Sequence, residues 1–102
     1  MFGLYVRFTC RDTASAAGFD ALIAETLPQI AEHEAGTLIY AVHEVEGQPL
    51  QRTFYELYRD RAAFEAHEAQ PHTKRFLAER GQYLASVEVD RLTLRAGKGA
   101  GG

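Results

Sequence analysis

The chain has 102 residues, enough for one domain with a modest core. Its hydrophobic fraction of 46% and charged fraction of 25% are ordinary for a globular protein and exclude a disordered chain. The formal net charge is −3, and acids and bases are interleaved, so the chain lacks the basic surface that nucleic-acid binding requires.

The sequence also leads us to expect neither a membrane protein nor a secreted one. No apolar run approaches the roughly 20 residues that cross a bilayer, and the first residues lack the pattern of a secretion signal. Cys10 is the only cysteine, so it cannot form an internal disulfide, and we expect it to be a small core residue. We therefore expect a cytoplasmic protein with no membrane or nucleic-acid partner.

The first two predicted elements are a strand and a helix. Apolar residues alternate from Phe2 to Cys10, which is the period of a strand. Asp12 is an N-cap candidate for a helix whose apolar positions recur at helical spacing as far as Ile30. Pro28 lies inside this pattern and predicts a kink or break. Gly36 follows the helix and is expected to close it in a left-handed conformation.

A predicted hairpin comes next. Residues Thr37–Val45 and Thr53–Tyr58 each have the composition of a strand. The residues between them, Glu46-Gly47-Gln48-Pro49, are typical of turns. The two strands are therefore predicted to pair in antiparallel fashion.

The second half of the chain predicts two short helices and a last strand. Asp60 is a natural N-cap for the first helix. Gln70 precedes a proline and should end that helix, and Pro71 is suited to the first position of the next one. Gly81 either ends this helix or is tolerated within it. The final strand is predicted over Val87–Leu94.

The resulting order is β-α-β-β-α-β, with the second helical segment in two pieces. It predicts an α+β ferredoxin-like fold with a four-stranded antiparallel sheet. We assign this domain to residues 1–96. Residues 97–102 are rich in glycine, cannot contribute to a core, and are predicted to form a flexible tail.

The strands predict a homodimer because both of their faces are apolar. Alternation assigns Leu38, Tyr40 and Val42 to one face and Ile39, Ala41 and Val45 to the other. The helices can cover only one face, so the other needs a second cover. We expect two sheets packed face to face, with a small-molecule pocket in the enclosed face. A monomer with a few exposed aromatic residues is the alternative.

Three segments resemble the antibiotic biosynthesis monooxygenase family. They are FYELYRDRAAFEAH at residues 54–67, PHTKRFL at residues 71–77, and EAGTLIY at residues 34–40. The resemblance covers nearly the whole chain apart from the tail, and it implies a dimeric α+β barrel. It is less specific for the reaction, because the family fold hosts several reactions.

The resemblance implies a cofactor-independent monooxygenase that oxidises a quinol-like or polycyclic phenolic small molecule with dioxygen. In such enzymes the deprotonated substrate itself reduces dioxygen, so neither a flavin nor a metal is required. The protein supplies an apolar pocket, a base, and hydrogen-bond donors for the developing oxyanion. The alternatives are an isomerase or other non-oxidative enzyme acting on a phosphorylated sugar-like substrate, and a non-catalytic small-molecule-binding dimer.

The candidate catalytic residues are His67, His72 and Glu56. The break at Pro71 redirects the chain between the two histidines, so both rings are able to face one cavity at its edge. Histidine titrates near neutral pH, which suits a base that removes a phenolic proton. Glu56 lies among apolar neighbours, where it either orients a histidine or holds a substrate hydroxyl. Each histidine also has a structural interpretation, as a helix cap or a partner of a backbone carbonyl near Pro71. Glu56 has one as an ion pair with Arg52 or Arg91 across the sheet.

The candidate substrate-binding residues are Tyr40, Tyr55, Tyr58 and Arg52. Tyrosine combines apolar area with a polar tip, which suits a pocket wall as well as a core or an interface. A phosphorylated substrate requires cations, and the candidates for that role are Arg52, Lys74 and Arg75.

A metal site and haem degradation are both disfavoured. His67, His72 and Glu56 have the composition of a two-histidine, one-carboxylate iron site, but their spacing does not match a known metal motif. Haem-degrading relatives use an Asn-Trp-His set, and this chain has no tryptophan. We therefore expect neither a metal nor another cofactor.

Overall fold

A computed structural model describes residues 1–99 of the chain. The elements are β1 (Phe2–Cys10), α1 (Thr13–His33), β2 (Thr37–Val45), β3 (Gln48–Tyr58), α2 (Arg61–Ala69), α3 (Pro71–Glu79), a 3₁₀ turn (Arg80–Gln82) and β4 (Leu84–Thr93). This order confirms the predicted β-α-β-β-α-β arrangement, with its second helical segment in two pieces.

The four strands form one antiparallel sheet in the order β2-β3-β1-β4. This is the strand order of the ferredoxin-like fold, which confirms the predicted fold class. One row of paired residues crosses the whole sheet through Tyr40, Glu56, Leu4 and Arg91. Paired residues share a face, so these four side chains project from the same side of the sheet.

The core lies between that side of the sheet and the helices. Phe8 is at its centre, with ring centroids 5.0 Å from Phe19 and 4.6 Å from Phe54. Phe76 of α3 packs at 6.4 Å from Phe8 and joins the helical layer to the sheet. Cys10 belongs to the same buried cluster, as predicted. We call this side of the sheet the helix-facing side, and the opposite side the far face.

Helix α1 is continuous through Pro28, so the predicted break is wrong. Proline removes the N–H that would have bonded to the carbonyl of Ala24. Ala24 and Pro28 both lie on the exposed side of the helix, so the lost hydrogen bond is on the solvent side and not in the core. Buried residues before and after the proline, including Ile23 and Ile30, hold the helix against the core on both sides of it.

Gly36 does not act as a left-handed cap, which corrects the second expectation for this helix. The C-cap residue of α1 is Glu34, and the positive-φ glycines among residues 1–99 are Gly47 and Gly99. A Cβ atom on Gly36 would lie 2.6 Å from the Cβ of Ala63. Glycine is required here because the start of β2 approaches α2 closely, and this approach shapes the site described below.

Two strands are longer than predicted. β3 begins at Gln48 rather than Thr53, because a two-residue turn with Gly47 at a φ of 75° closes the hairpin. Pro49 fits inside the strand because it lies beyond Gln51, the last β3 residue paired with β1. β4 begins at Leu84, directly after the 3₁₀ turn that contains Gly81.

The helix boundaries in the second half follow the predicted signals. The carboxylate of Asp60 accepts a hydrogen bond from the backbone N–H of Ala63 at 2.8 Å and starts α2. Gln70 has a ψ of 142°, and Pro71 occupies the first turn of α3. Within the described residues, no helix is both long and apolar enough to cross a membrane. Residues 97–99 carry no helix or strand, and the rest of the predicted tail lies outside the described residues.

Candidate active site

A cavity of about 170 Å³ lies between the helix-facing side of the sheet and helices α2 and α3. Its apolar walls include Leu4, Val6, Phe8, Phe64 and Phe76. Its polar lining includes Tyr40, Glu56, His67, Arg80 and Arg91. The predicted position of the pocket is the face enclosed between two sheets. That location is wrong for this cavity, since it lies on the side that the helices cover.

The break between α2 and α3 brings two histidines to one carboxylate. His67 is in the last turn of α2, and His72 is in the first turn of α3. On one continuous helix, residues five apart would point about 140° away from each other. The extended backbone at Gln70 removes that constraint, and both rings contact Glu34 at the end of α1.

Glu34 is buried and has a hydrogen-bond partner on each oxygen. Its Oε1 lies 2.6 Å from Nδ1 of His67 and accepts a bond from the hydroxyl of Thr37 at 2.7 Å. Its Oε2 bonds to Nε2 of His72. An ionised carboxylate can only accept hydrogen bonds, so each histidine presents a protonated nitrogen to it. The contact fixes the tautomer of His67 with the proton on Nδ1.

His67 is the histidine that reaches the cavity. Its ring is buried between Tyr40 and Tyr58, at centroid distances of 5.6 Å and 5.3 Å. Its Nδ1 is taken by Glu34, with the hydroxyl of Thr73 further away at 3.4 Å. Nε2 has no hydrogen-bond partner in residues 1–99, and the ring of His67 lines both this cavity and a second depression beside Gly36 and Gln70. A neutral, unpaired Nε2 can accept a proton.

His72 lies on the other side of Glu34, which corrects the expectation that both histidine rings face one cavity. It lines an outer depression with Glu25 and Arg75, and its ring packs on His33 at a centroid distance of 6.3 Å. The two histidines therefore share a carboxylate while facing different surroundings.

Glu56 lies in the cavity wall and shares a hydrogen bond with Tyr58. The hydroxyl of Tyr58 donates to Oε1 of Glu56 at 2.5 Å. Burial raises the pKa of Glu56 to about 7, although the bond from Tyr58 and the charge of Arg80 act in the opposite direction. Burial and the neighbouring carboxylate of Glu56 raise the pKa of Tyr58, which therefore remains a donor.

Tyr40 also faces the cavity. It lies beside Glu56 in the same cross-strand row. Burial, followed by the nearby carboxylates of Glu56 and Glu34, raises its pKa well above the ordinary value for tyrosine. Its hydroxyl makes no hydrogen bond to any residue in 1–99, so it is a protonated donor available to a bound molecule.

Several predicted binding residues lie away from the cavity. Tyr55 is on the far face, because it alternates with the cavity residue Glu56 along β3. Arg52 pairs with both oxygens of Asp20, at 2.8 Å and 3.0 Å, and donates to two backbone carbonyls. Its donors are therefore committed to holding β3 against α1, and it is a structural residue.

The other two predicted phosphate-binding cations are also outside the cavity. Lys74 is exposed. Arg75 donates to Glu79 at 2.5 Å and to Glu25 at 2.8 Å on the outer surface.

Neither Glu34 nor Arg80 is predicted as a site residue from the sequence, and Arg91 is predicted only as a possible cross-sheet partner of Glu56. Glu34 belongs to the EAGTLIY segment, and its one visible signal is that it is an acid at the apolar end of a helix. Arg80 and Arg91 lack a local signal, because their contact with the cavity depends on how α3 and β4 lie against the rest of the sheet.

The predicted histidine and carboxylate set is also arranged differently from a metal site. Glu34, rather than Glu56, lies between the histidines, and its oxygens are bonded to their ring nitrogens. No group of three or more potential ligands suited to a metal ion occurs in the described part of the chain.

Comparisons with known proteins place this chain in a family. Solved structures with the same fold include a Caulobacter crescentus protein named for antibiotic biosynthesis monooxygenases. It is 20% identical with a TM-score of 0.86, and the match covers 93% of this chain and 90% of that one. The protein Rv0793 of Mycobacterium tuberculosis is 24% identical with a TM-score of 0.85, over 94% and 96% of the two chains.

A third structure, of a conserved Methanosarcina mazei protein, is 16% identical with a TM-score of 0.83, over 92% of each chain. A search of curated proteins finds no significant match. The family profile described as antibiotic biosynthesis monooxygenase matches residues 1–79, which include β1, α1, the hairpin, α2 and α3. The chain therefore belongs to the antibiotic biosynthesis monooxygenase family.

Proposed function

We propose that this protein is a cofactor-independent monooxygenase that oxidises a quinol-like phenolic compound with dioxygen. The observation that carries the proposal is the His67–Glu34 pair. The His67 ring lines the cavity with its Nε2 unpaired, and a buried carboxylate 2.6 Å from Nδ1 holds the opposite nitrogen. This arrangement suits a base that must accept a proton from a bound hydroxyl group.

In the first step the phenolic O–H proton passes to Nε2 of His67. The carboxylate of Glu34 stabilises the imidazolium that forms, as a carboxylate behind a histidine base does in hydrolases. His72 is a positioning residue in this scheme, because it reaches the reaction through Glu34. The phenolate oxygen lies where Tyr40 and protonated Glu56 are able to donate hydrogen bonds to it.

In the second step the phenolate gives its electrons to dioxygen. A bond forms between a ring carbon that bears hydrogen and one oxygen atom, and the proton on His67 moves to the outer oxygen. The resulting hydroperoxide loses its ring hydrogen and the O–O bond breaks. One oxygen remains as a ring carbonyl and the other leaves in water, so the substrate is the only reductant.

An oxygen electrode tests the proposal. Hydroquinones and anthrols, supplied without flavin and with a metal chelator, are expected to cause oxygen uptake above the uncatalysed rate. Replacing His67 with glutamine is expected to reduce that rate at least about tenfold, because general-base catalysis contributes that much or more. His33→Gln is the matched control, since His33 is half-exposed at the end of α1.

Two results contradict the proposal. One is the absence of oxygen uptake with every phenol tested. The other is an equal effect of the His67 and His33 substitutions. If the protein is instead an isomerase of a phosphorylated sugar, sugar phosphates should raise its melting temperature and quinols should not. The phosphate-binding cations predicted from the sequence for that alternative all lie outside the cavity.

We also propose that the protein is a homodimer that pairs through the far face. This face carries half-buried apolar residues at its centre, namely Tyr5, Ile39, Ala41 and Tyr55. The helices lie on the opposite side and cannot cover it. A second copy of the sheet presents a surface of the same size and polarity, as a two-fold interface requires.

Replacing Tyr55 with glutamate is expected to halve the mass measured by light scattering after size exclusion. The substitution puts a charge, and its symmetry copy, into an apolar interface, where burying unpaired charges is costly. Gln29→Glu is the control, because Gln29 is exposed on α1 away from the far face. Equal masses for the Tyr55 variant and the control would place the interface elsewhere.

A further inference from the structure

The cavity contains two arginines with no acidic partner. Arg80 lies at the end of α3 and is partly buried, and Arg91 lies on β4 at the cavity edge. Neither has a carboxylate within 4.0 Å in residues 1–99. Arg52, in contrast, pairs with both oxygens of Asp20. Arg75 bridges the carboxylates of Glu79 and Glu25. The cavity arginines are therefore the guanidinium groups available to a bound molecule.

Aromatic walls hold both guanidinium groups in place. Arg80 lies over the ring of Phe8 with its Cζ 5.6 Å from the centroid. Arg91 lies over Phe64 at 6.0 Å. No polar side-chain atom buried in the described part of the chain lacks a partner, so the unpaired donors of these arginines reach open space. Stacked guanidinium groups with free donors are well suited to a planar anion.

The other charges of the cavity lining limit the charge of such a ligand. Glu56 and Glu68 also line the cavity. Glu56 is bonded to Tyr58 and holds a proton up to about neutral pH, because burial raises its pKa to about 7. Glu68 is exposed at the edge. Burial also lowers the pKa of Arg80, and an anion beside it would offset that effect. The lining thus favours a single negative charge over a dianion.

We propose that the substrate is an aromatic compound that carries a carboxylate, which Arg80 binds while the ring lies against the apolar walls and Arg91 supplies a second positive charge at the cavity edge. The inference rests on the proposed function for the aromatic, hydroxylated part of the substrate. The cavity volume of about 170 Å³ is close to the ~150 Å³ that holds a benzene molecule in another protein. A substrate part of one or two rings fits this space.

Binding of non-oxidisable ligands without oxygen tests this inference separately from the reaction. The probes are 2-naphthoate, its neutral isostere naphthalene-2-carboxamide, and 2-naphthyl phosphate, measured by calorimetry. We expect 2-naphthoate to bind at least about tenfold more tightly than the carboxamide, since charge-assisted hydrogen bonds are about twice as strong as neutral ones. We also expect it to bind more tightly than the phosphate.

Replacing Arg80 with methionine is expected to remove most of the preference for naphthoate over the carboxamide. Arg75→Met removes the same charge from the outer surface of α3 and is expected to leave the preference unchanged. Arg80→Lys keeps a charge without the planar fork, so it should give an intermediate preference. This variant provides the test if the methionine variant fails to fold.

Equal binding of naphthoate and the carboxamide would overturn the inference, as would tighter binding of the phosphate. Equal preferences in the Arg80 and Arg75 variants would also overturn it. The reaction is followed separately as oxygen uptake with 2,5-dihydroxybenzoate and 2,5-dihydroxybenzamide. Tight naphthoate binding with no oxygen uptake from any quinol would remove the proposed oxidation while leaving carboxylate recognition in place.

Discussion

Replacing Glu34 with glutamine is expected to lower the rate of quinol oxidation about 100-fold or more. The amide has no charge to stabilise the imidazolium that forms on His67, and in a serine protease the comparable change lowers the rate about 10⁴-fold. The amide also presents an N–H₂ group where the carboxylate now accepts bonds from His67, His72 and Thr37. The measurement is oxygen uptake as a function of substrate concentration.

The effect should fall on kcat rather than on KM, because Glu34 lies behind His67 and does not line the cavity. A loss of binding alone would indicate a structural role. Unfolding in urea should show a loss of about 2 kcal/mol, the scale of hydrogen bonds to a charged group. Glu32→Gln is the control, since Glu32 is on the same helix with a side chain that is 71% exposed. A Glu34 variant that keeps the rate of the Glu32 variant would contradict the proposed role.

The second large effect is expected in the pH dependence of stability, and its source is Glu56. Burial raises the pKa of this carboxyl group from 4.5 to about 7 in the folded protein. The folded state therefore binds the proton more tightly than the unfolded state. By linkage, the contribution of Glu56 to stability falls as the pH rises from about 4.5 to 7, by about 3 kcal/mol in total.

Glu56→Gln should remove this dependence. The amide resembles the protonated carboxyl group, and its oxygen still accepts the bond from Tyr58. The variant is expected to match the parent at about pH 4 and below, and to exceed it by about 3 kcal/mol at pH 8, as measured by urea unfolding. Glu65→Gln, at an exposed position of α2, controls for the loss of one charge. A difference between parent and Glu56 variant that stays constant with pH would contradict the assignment.

The two predictions separate the roles of the two buried acids. Glu34 has hydrogen-bond partners on both oxygens and acts behind the base. Glu56 has one partner, Tyr58, and faces the cavity. Near neutral pH the first is proposed to stabilise a developing positive charge, and the second to donate a proton to a developing negative charge. Both functions require burial, which is why mutation of either acid is expected to have a large effect.

Much of the fold was visible in the sequence because the responsible signals are local. The alternation of Phe2–Cys10 predicts β1, Asp60 predicts the start of α2, and the Gln70–Pro71 step predicts the break between α2 and α3. Each depends on side-chain periodicity or on backbone chemistry within a few residues. The wrong expectations at Pro28 and Gly36 arose where packing against the core outweighed a local preference.

The sequence by itself determined the order of the elements and the family, and it predicted His67 as a candidate catalytic residue. It also determined that the side chains of Tyr55 and Glu56 project from opposite faces of the sheet, since neighbouring residues in a strand do so. Which of those sides the helices cover was decided by the tertiary structure. The contact of Glu34 with His67 and His72 was decided there too, because it joins residues 33 and 38 positions apart.

The same holds for the two arginines of the cavity. Arg80 and Arg91 line one cavity only because α3 and β4 both pack beside the central strand β1. Such contacts depend on the summed burial of the core, and no short stretch of sequence encodes them. Periodicity therefore determined which residues share an element, while packing of the helices on one side of the sheet decided which of them form the site.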